Sequence, residues 1–124
     1  MPETPERNLL FKSVVQADAY EAKFSGIPLA DAQGRFTELG GQGYVVTTSE
    51  SFSLLGDTSI RYLAFKPVGS TVTYEAKFSG VPLGDAQARF AELGGQGYVV
   101  TTSDSFSILG DTSIRYLGFK PVLP

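Results

Sequence analysis

The sequence predicts an α+β fold built from two tandem strand–helix–strand–strand repeats with one extra strand in front. Three observations predict it. Residues 20–68 and 74–122 align without a gap at an offset of 54, and 42 of the 49 aligned positions are identical. Inside each copy, period-two apolar alternation gives way to helical spacing and then to two β-rich stretches. Glycine and proline punctuate the boundaries between them. The seven differences are Ile27/Val81, Ala30/Gly84, Gly34/Ala88, Thr37/Ala91, Glu50/Asp104, Leu54/Ile108 and Ala64/Gly118.

The chain divides into a tail at 1–6, a leftover repeat strand at 7–14, repeat 1 at 18–68 and repeat 2 at 72–122. A single unit would bury too little surface to be comfortable alone, so both repeats are placed in one domain. The expected architecture is an antiparallel-rich sheet with two helices, pseudo-two-fold symmetric, with seven strands counting 7–14.

The first element rests on the same offset carried further back. Arg7, Leu9, Phe11, Lys12 and Val14 coincide with Arg61, Leu63, Phe65, Lys66 and Val68, and again with Arg115, Leu117, Phe119, Lys120 and Val122. The segment therefore reads as the last strand of an earlier, lost unit. Next, Tyr20, Ala22 and Phe24 alternate with Glu21, Lys23 and Ser25, the mark of a half-buried strand. Pro28 or Asp31 then opens a helix, since proline is tolerated in a first turn and the helix dipole favours an acidic residue there.

Leu29, Ala32, Phe36 and Leu39 form the apolar stripe of that helix. Gly40-Gly41 is expected to end it by accepting a left-handed conformation. A strand rich in branched residues starts at Tyr44 and runs to about Phe52 or Leu54. Gly56-Asp57 supplies a turn, and Ile60 to Lys66 returns as the third strand. That strand carries large groups on both faces, Ile60 and Tyr62 on one, Leu63 and Phe65 on the other. A helix covers only one face, so the second must meet the sister repeat or another chain, or line a pocket.

Composition narrows the function. With 124 residues, 42% hydrophobic and 19% charged, the chain has the profile of a globular domain with a packed core. A net charge of −3 and a pI near 4.8, with the basic residues scattered, argue against a nucleic-acid surface. No apolar run approaches the roughly 20 residues that span a bilayer, which argues against membrane insertion. The N-terminus lacks the pattern of a signal peptide, so a cytoplasmic location is expected. Cysteine and histidine are both absent. Disulfides and thiolate metal sites are thereby excluded, as is every nucleophile activated by histidine. No metal site, no cofactor and no catalytic residue is predicted, and an enzyme ranks third among the functional readings.

With this pattern laid out, each repeat resembles a group of small uncharacterised bacterial domains. Their first strand begins aromatic-Glu-x-Lys, and their helix ends Leu-Gly-x-x-Gly-aromatic. Tyr20-Glu21-Ala22-Lys23 and Leu39-Gly40-Gly41-Gln42-Gly43-Tyr44 carry the resemblance, with Tyr74–Lys77 and Leu93–Tyr98 in the second copy. Where the group usually has Trp, this chain has Tyr44 and Tyr98. The resemblance implies a fold and brings no activity with it.

Several motifs are weighed on their chemistry. A glycine loop cradles phosphate where it leads into a helix N-terminus, whereas Gly40–Gly43 follows a helix and reads as a cap. Tyr62-x-x-x-Lys66 has the spacing of a dehydrogenase pair, but on a strand those side chains lie about 13 Å apart. Glu21, Asp31, Glu38, Glu50 and Asp57 read as surface charge. The hydroxyls from Thr47 to Ser53 read as solvent-facing strand polarity. Arg61 and Arg115 are expected to pair with Glu21 or Glu75. The sharper alternative makes Arg61, Tyr62, Arg115 and Tyr116 the lining of a cleft for an anionic group.

Two functions follow. The first is a non-catalytic protein-interaction or assembly module that forms homo-oligomers or takes a protein partner. It is supported by the two-faced strand and by the spare edge at 7–14. The alternative is a domain that binds a small anionic ligand between repeats or subunits.

Overall fold

The computed structural model describes residues 18–123, so the tail at 1–6 and the strand read at 7–14 lie outside the described residues. Strand β1 (Tyr20–Pro28) leads through a single 3-10 turn into α1 (Ala32–Gly41), followed by β2 (Val45–Leu54) and β3 (Asp57–Pro67). The second copy repeats the order with β4 (Thr73–Pro82), α2 (Ala86–Gly95), β5 (Val99–Ile108) and β6 (Asp111–Val122). The fold class is α+β, as the repeat pattern predicts.

Each unit makes its own three-stranded antiparallel sheet, ordered β1-β3-β2 and β4-β6-β5. The last strand takes the centre because it carries large side chains on both faces. A two-residue turn joins β2 to β3, with Leu55 at φ 52° and Gly56 at φ 88°, and Leu109 and Gly110 repeat it at 51° and 88°. Two successive left-handed residues suit the right-handed twist of the hairpin. Leucine is an unusual occupant of such a position, and both leucines are almost fully exposed.

The helix ends otherwise than expected. It continues through Gly40 and Gly41, and the left-handed residue is Gly43, at φ 94°. Tyr44 N–H donates to Leu39 O at 2.9 Å and Gly43 N–H to Gly40 O at 3.0 Å, the paired bonds of a Schellman motif. Gly40 instead permits close approach, since a Cβ there would stand 2.6 Å from the carbonyl oxygen of Tyr74.

That approach reflects the stacking of the molecule. α1 lies on its own sheet and also packs along β4 of the second repeat. Phe36 is fully buried between the two, its ring 5.5 Å from Tyr62 below and 5.2 Å from Phe78 above. One core therefore runs from Ile60 and Tyr62 through Phe36 to Leu117, Phe119 and Tyr74. A smaller cluster of Val81, Ala86, Leu93 and Tyr116 lies under α2. The order of layers is sheet, α1, sheet, α2.

The antiparallel-rich sheet expected is realised as two three-stranded sheets, and the pseudo-two-fold is not kept. A two-fold would place α2 on β1 as α1 sits on β4, and α2 makes no comparable contact there. The copies are joined head to tail, with the helix of the first against the sheet of the second. Past the helix the two sheets touch directly, where Ser49 Oγ meets Thr102 Oγ1 at 2.8 Å and Ser51 donates to Asp104 Oδ2 at 2.9 Å.

Candidate functional site

The four residues proposed for a ligand cleft do not converge. Successive residues on a strand point to opposite faces, so Arg61 and Tyr62 diverge from the same backbone. Tyr62 is 1% exposed and faces α1, where its hydroxyl accepts a hydrogen bond from Arg35 Nη1 at 2.9 Å. Tyr116 repeats this under α2 with Arg89 at 3.1 Å. Those bonds, with the phenol oxygens as acceptors, raise both guanidinium pKa values above their usual range. The two tyrosines thus tie helix to sheet.

Arg61 lies on the outer face and pairs with Glu50 at 3.2 Å, not with Glu21 or Glu75, while its guanidinium stacks on Phe52 at 4.3 Å. The β2–β3 register explains the partner, because Glu50 stands directly opposite Arg61. Arg115 stacks on Phe106 at 4.1 Å and donates to Ser51 Oγ of the other repeat at 2.7 Å. It borders an open groove of about 360 Å³ between the repeats, lined also by Phe52 and Phe106. Of the four residues, Arg115 alone lines that groove. Among the described residues, no three acidic groups approach closely enough to hold a metal ion, and no helix is long and apolar enough to cross a membrane.

The more informative surface is the outer face of the sheet β1-β3-β2. In β1 the alternation is real, but its apolar side faces away from α1. Phe24 stands opposite Leu63 and Ala22 opposite Phe65, whereas Lys23 and Ser25 share the side of Ala64 and Tyr62. Phe24 is 68% exposed, and Leu63 and Phe65 are only partly covered. The same face of β4-β6-β5 lies under α1: Leu117 and Phe119 are fully buried, Tyr74 is buried, and Phe78 packs on the core.

A side chain closes the edge of that second sheet. Gln33 on α1 accepts from Phe78 N–H at 2.7 Å and donates to Ala76 O at 3.0 Å, reaching two backbone groups on the open edge of β4. It also donates to Thr37 Oγ1 at 2.9 Å, which steadies the amide. In α2 the matching Gln87, as exposed as Gln33, makes no such bond among the described residues, and Ala91 stands where Thr37 would be. No catalytic or hydrophobic pattern in the sequence marks the role of Gln33, and Gly40 reads there as a cap. The one available signal was Thr37/Ala91, a difference that falls on the helix beside Gln33.

No family model, no curated protein and no solved structure matches this chain.

Proposed function

We propose that the protein is a non-catalytic assembly module that self-associates through the outer face of the sheet β1-β3-β2. One observation carries the reading: an apolar face that is open in repeat 1 has a near-identical twin in repeat 2, and that twin is buried. Phe24 at 68% exposure, beside Leu63 and Phe65, is the kind of contiguous patch that marks an interaction surface. Light scattering of the full chain across concentration tests it. The wild type should exceed its monomer mass of 13.3 kDa increasingly as concentration rises, and Phe24→Asp should stay at that mass. A wild type that holds 13.3 kDa up to millimolar concentration defeats the proposal.

The groove beside Arg115 favours a second reading, a small anionic ligand held between the repeats. A thermal-shift series with inorganic phosphate and small dicarboxylates addresses it. A shift that disappears in Arg115→Ala would support the site, and one that survives would remove it.

A further inference from the structure

The partner of the open sheet face is written into the same chain. The face made by Ala22, Phe24, Leu63 and Phe65 is identical, residue for residue, to the face of Ala76, Phe78, Leu117 and Phe119. That second face already has an occupant, the outer side of α1, presenting Gln33, Phe36 and Gly40. At the other end of the stack, α2 carries the matching Gln87, Phe90 and Gly94, with Gln87 exposed, Gly94 half-buried, and Phe90 half-buried against Tyr116. Among the described residues, the molecule therefore leaves one copy of each half of this interface uncovered, Phe24 with Leu63 and Phe65 on the sheet and the outer side of α2 on the helix.

We infer that α2 of one chain docks on the outer face of β1-β3-β2 of a second copy, repeating the internal contact of α1 with β4-β6-β5. This rests on the assembly reading and names both its partner surface and its polarity. Phe90 inserts beside Phe24 as Phe36 does beside Phe78. Gln87 spans Ala22 O and Phe24 N–H on the edge of β1, which are the groups equivalent to those Gln33 meets on β4. Gly94 passes close to the Tyr20 carbonyl, where a side chain would obstruct it as one at Gly40 would meet Tyr74.

Because the joined faces differ, the contact is heterologous, and each added chain leaves the same two faces open. Growth continues past the dimer, ending in a ring or a filament. Linker residues 68–72 hold the internal contact closed at a high effective concentration, which the contact between chains lacks. Association between chains is accordingly weaker than closure within one.

Two full-length variants separate the possibilities. Phe24→Asp blocks the sheet face and leaves α2 intact. Gly94→Arg blocks the helix face; Gly94 is within α2 and is not among the left-handed glycines, so its backbone accepts a side chain. Each variant alone should remain at 13.3 kDa, while an equimolar mixture should form a capped pair of about twice that mass. Ala91→Arg, on the same side of α2, repeats the block should Gly94→Arg fail to fold.

If Gly94→Arg and Ala91→Arg associate as the wild type does while Phe24→Asp does not, the sheet face meets something other than α2. The inference then fails and the assembly reading stands. A mixture that stays monomeric although the wild type associates also overturns it. A wild type that is itself monomeric at millimolar concentration removes both.

Discussion

Helices α1 and α2 differ at two positions in ten, Gly34/Ala88 and Thr37/Ala91, yet their surroundings are unlike. Phe36 is fully buried while Phe90 is half-buried, and Gly40 is buried while Gly94 is not. The sheets show the reverse, with Leu117 and Phe119 covered and Leu63 and Phe65 partly open. Local sequence is almost constant between the copies, so the difference comes from position in the stack. Among the described residues, the first helix has a sheet above it and the second has none. A near-identical pair thus acts as an internal control, in which one substitution made at equivalent sites reports on the neighbour alone.

The largest contrast should come from Phe78→Asp against Phe24→Asp, both measured by urea unfolding in a Gly94→Arg background that holds the chain monomeric. Phe78 packs on Phe36 in the continuous core, and a carboxylate there loses apolar contact and buries a charge. About 2–3 kcal/mol of stability should disappear. Phe24→Asp acts on an exposed ring and should cost less than about 1 kcal/mol. Equal losses at the two sites would mean that Phe24 is covered within the monomer, and the comparison would break.

Part of this was legible in the residues. The repeat, the helix stripe and the hairpin turn follow from local chemistry, and local chemistry is the same in both copies. The two large faces of β3 and β6 were legible too, and in β6 the demand for a second layer is met by α1 over Leu117 and Phe119. The direction of stacking was not readable. Period-two alternation says that Tyr20, Ala22 and Phe24 share a side, and nothing local says whether that side meets its own helix or a neighbour's. A two-fold and a head-to-tail join satisfy the same pattern. The cleft of Arg61 with Tyr62 fails on strand alternation alone, which sets adjacent residues on opposite faces. Arg61 found Glu50 through register, which depends on a bulge between Val46 and Thr48 that no sequence signal marked.

A second pair sharpens the contrast by reversing its sign. Gly40→Ala places a Cβ against the Tyr74 carbonyl, where the 2.6 Å separation forces α1 and β4 apart. A loss of about 1–3 kcal/mol should follow in thermal or urea unfolding. Gly94→Ala in the monomer removes a flexible residue from a helix that no sheet of the described residues covers, and should gain up to about 1 kcal/mol. The same alanine should weaken association between chains, as its Cβ would meet the Tyr20 carbonyl of the neighbour. Stabilised monomers that associate less well are the combined signature, readable by pairing unfolding curves with light scattering.

The smallest effect concerns the one contact residue that differs between the used and unused helix faces. Thr37 Oγ1 holds the Gln33 amide while Gln33 bridges the edge of β4, and Ala91 offers Gln87 no such hold. Ala91→Thr should supply it. Threonine is a poorer helix former than alanine, but that penalty falls equally on free and associated chains and cancels from the association constant. What survives is the gain from fixing the Gln87 side chain before docking, about 0.5–1 kcal/mol, or a two- to fivefold tighter association. Concentration-dependent light scattering resolves a change of that size. Unchanged association would show that Gln87 does not bridge the β1 edge as Gln33 bridges β4, even if the apolar part of the contact, Phe90 on Phe24, is formed.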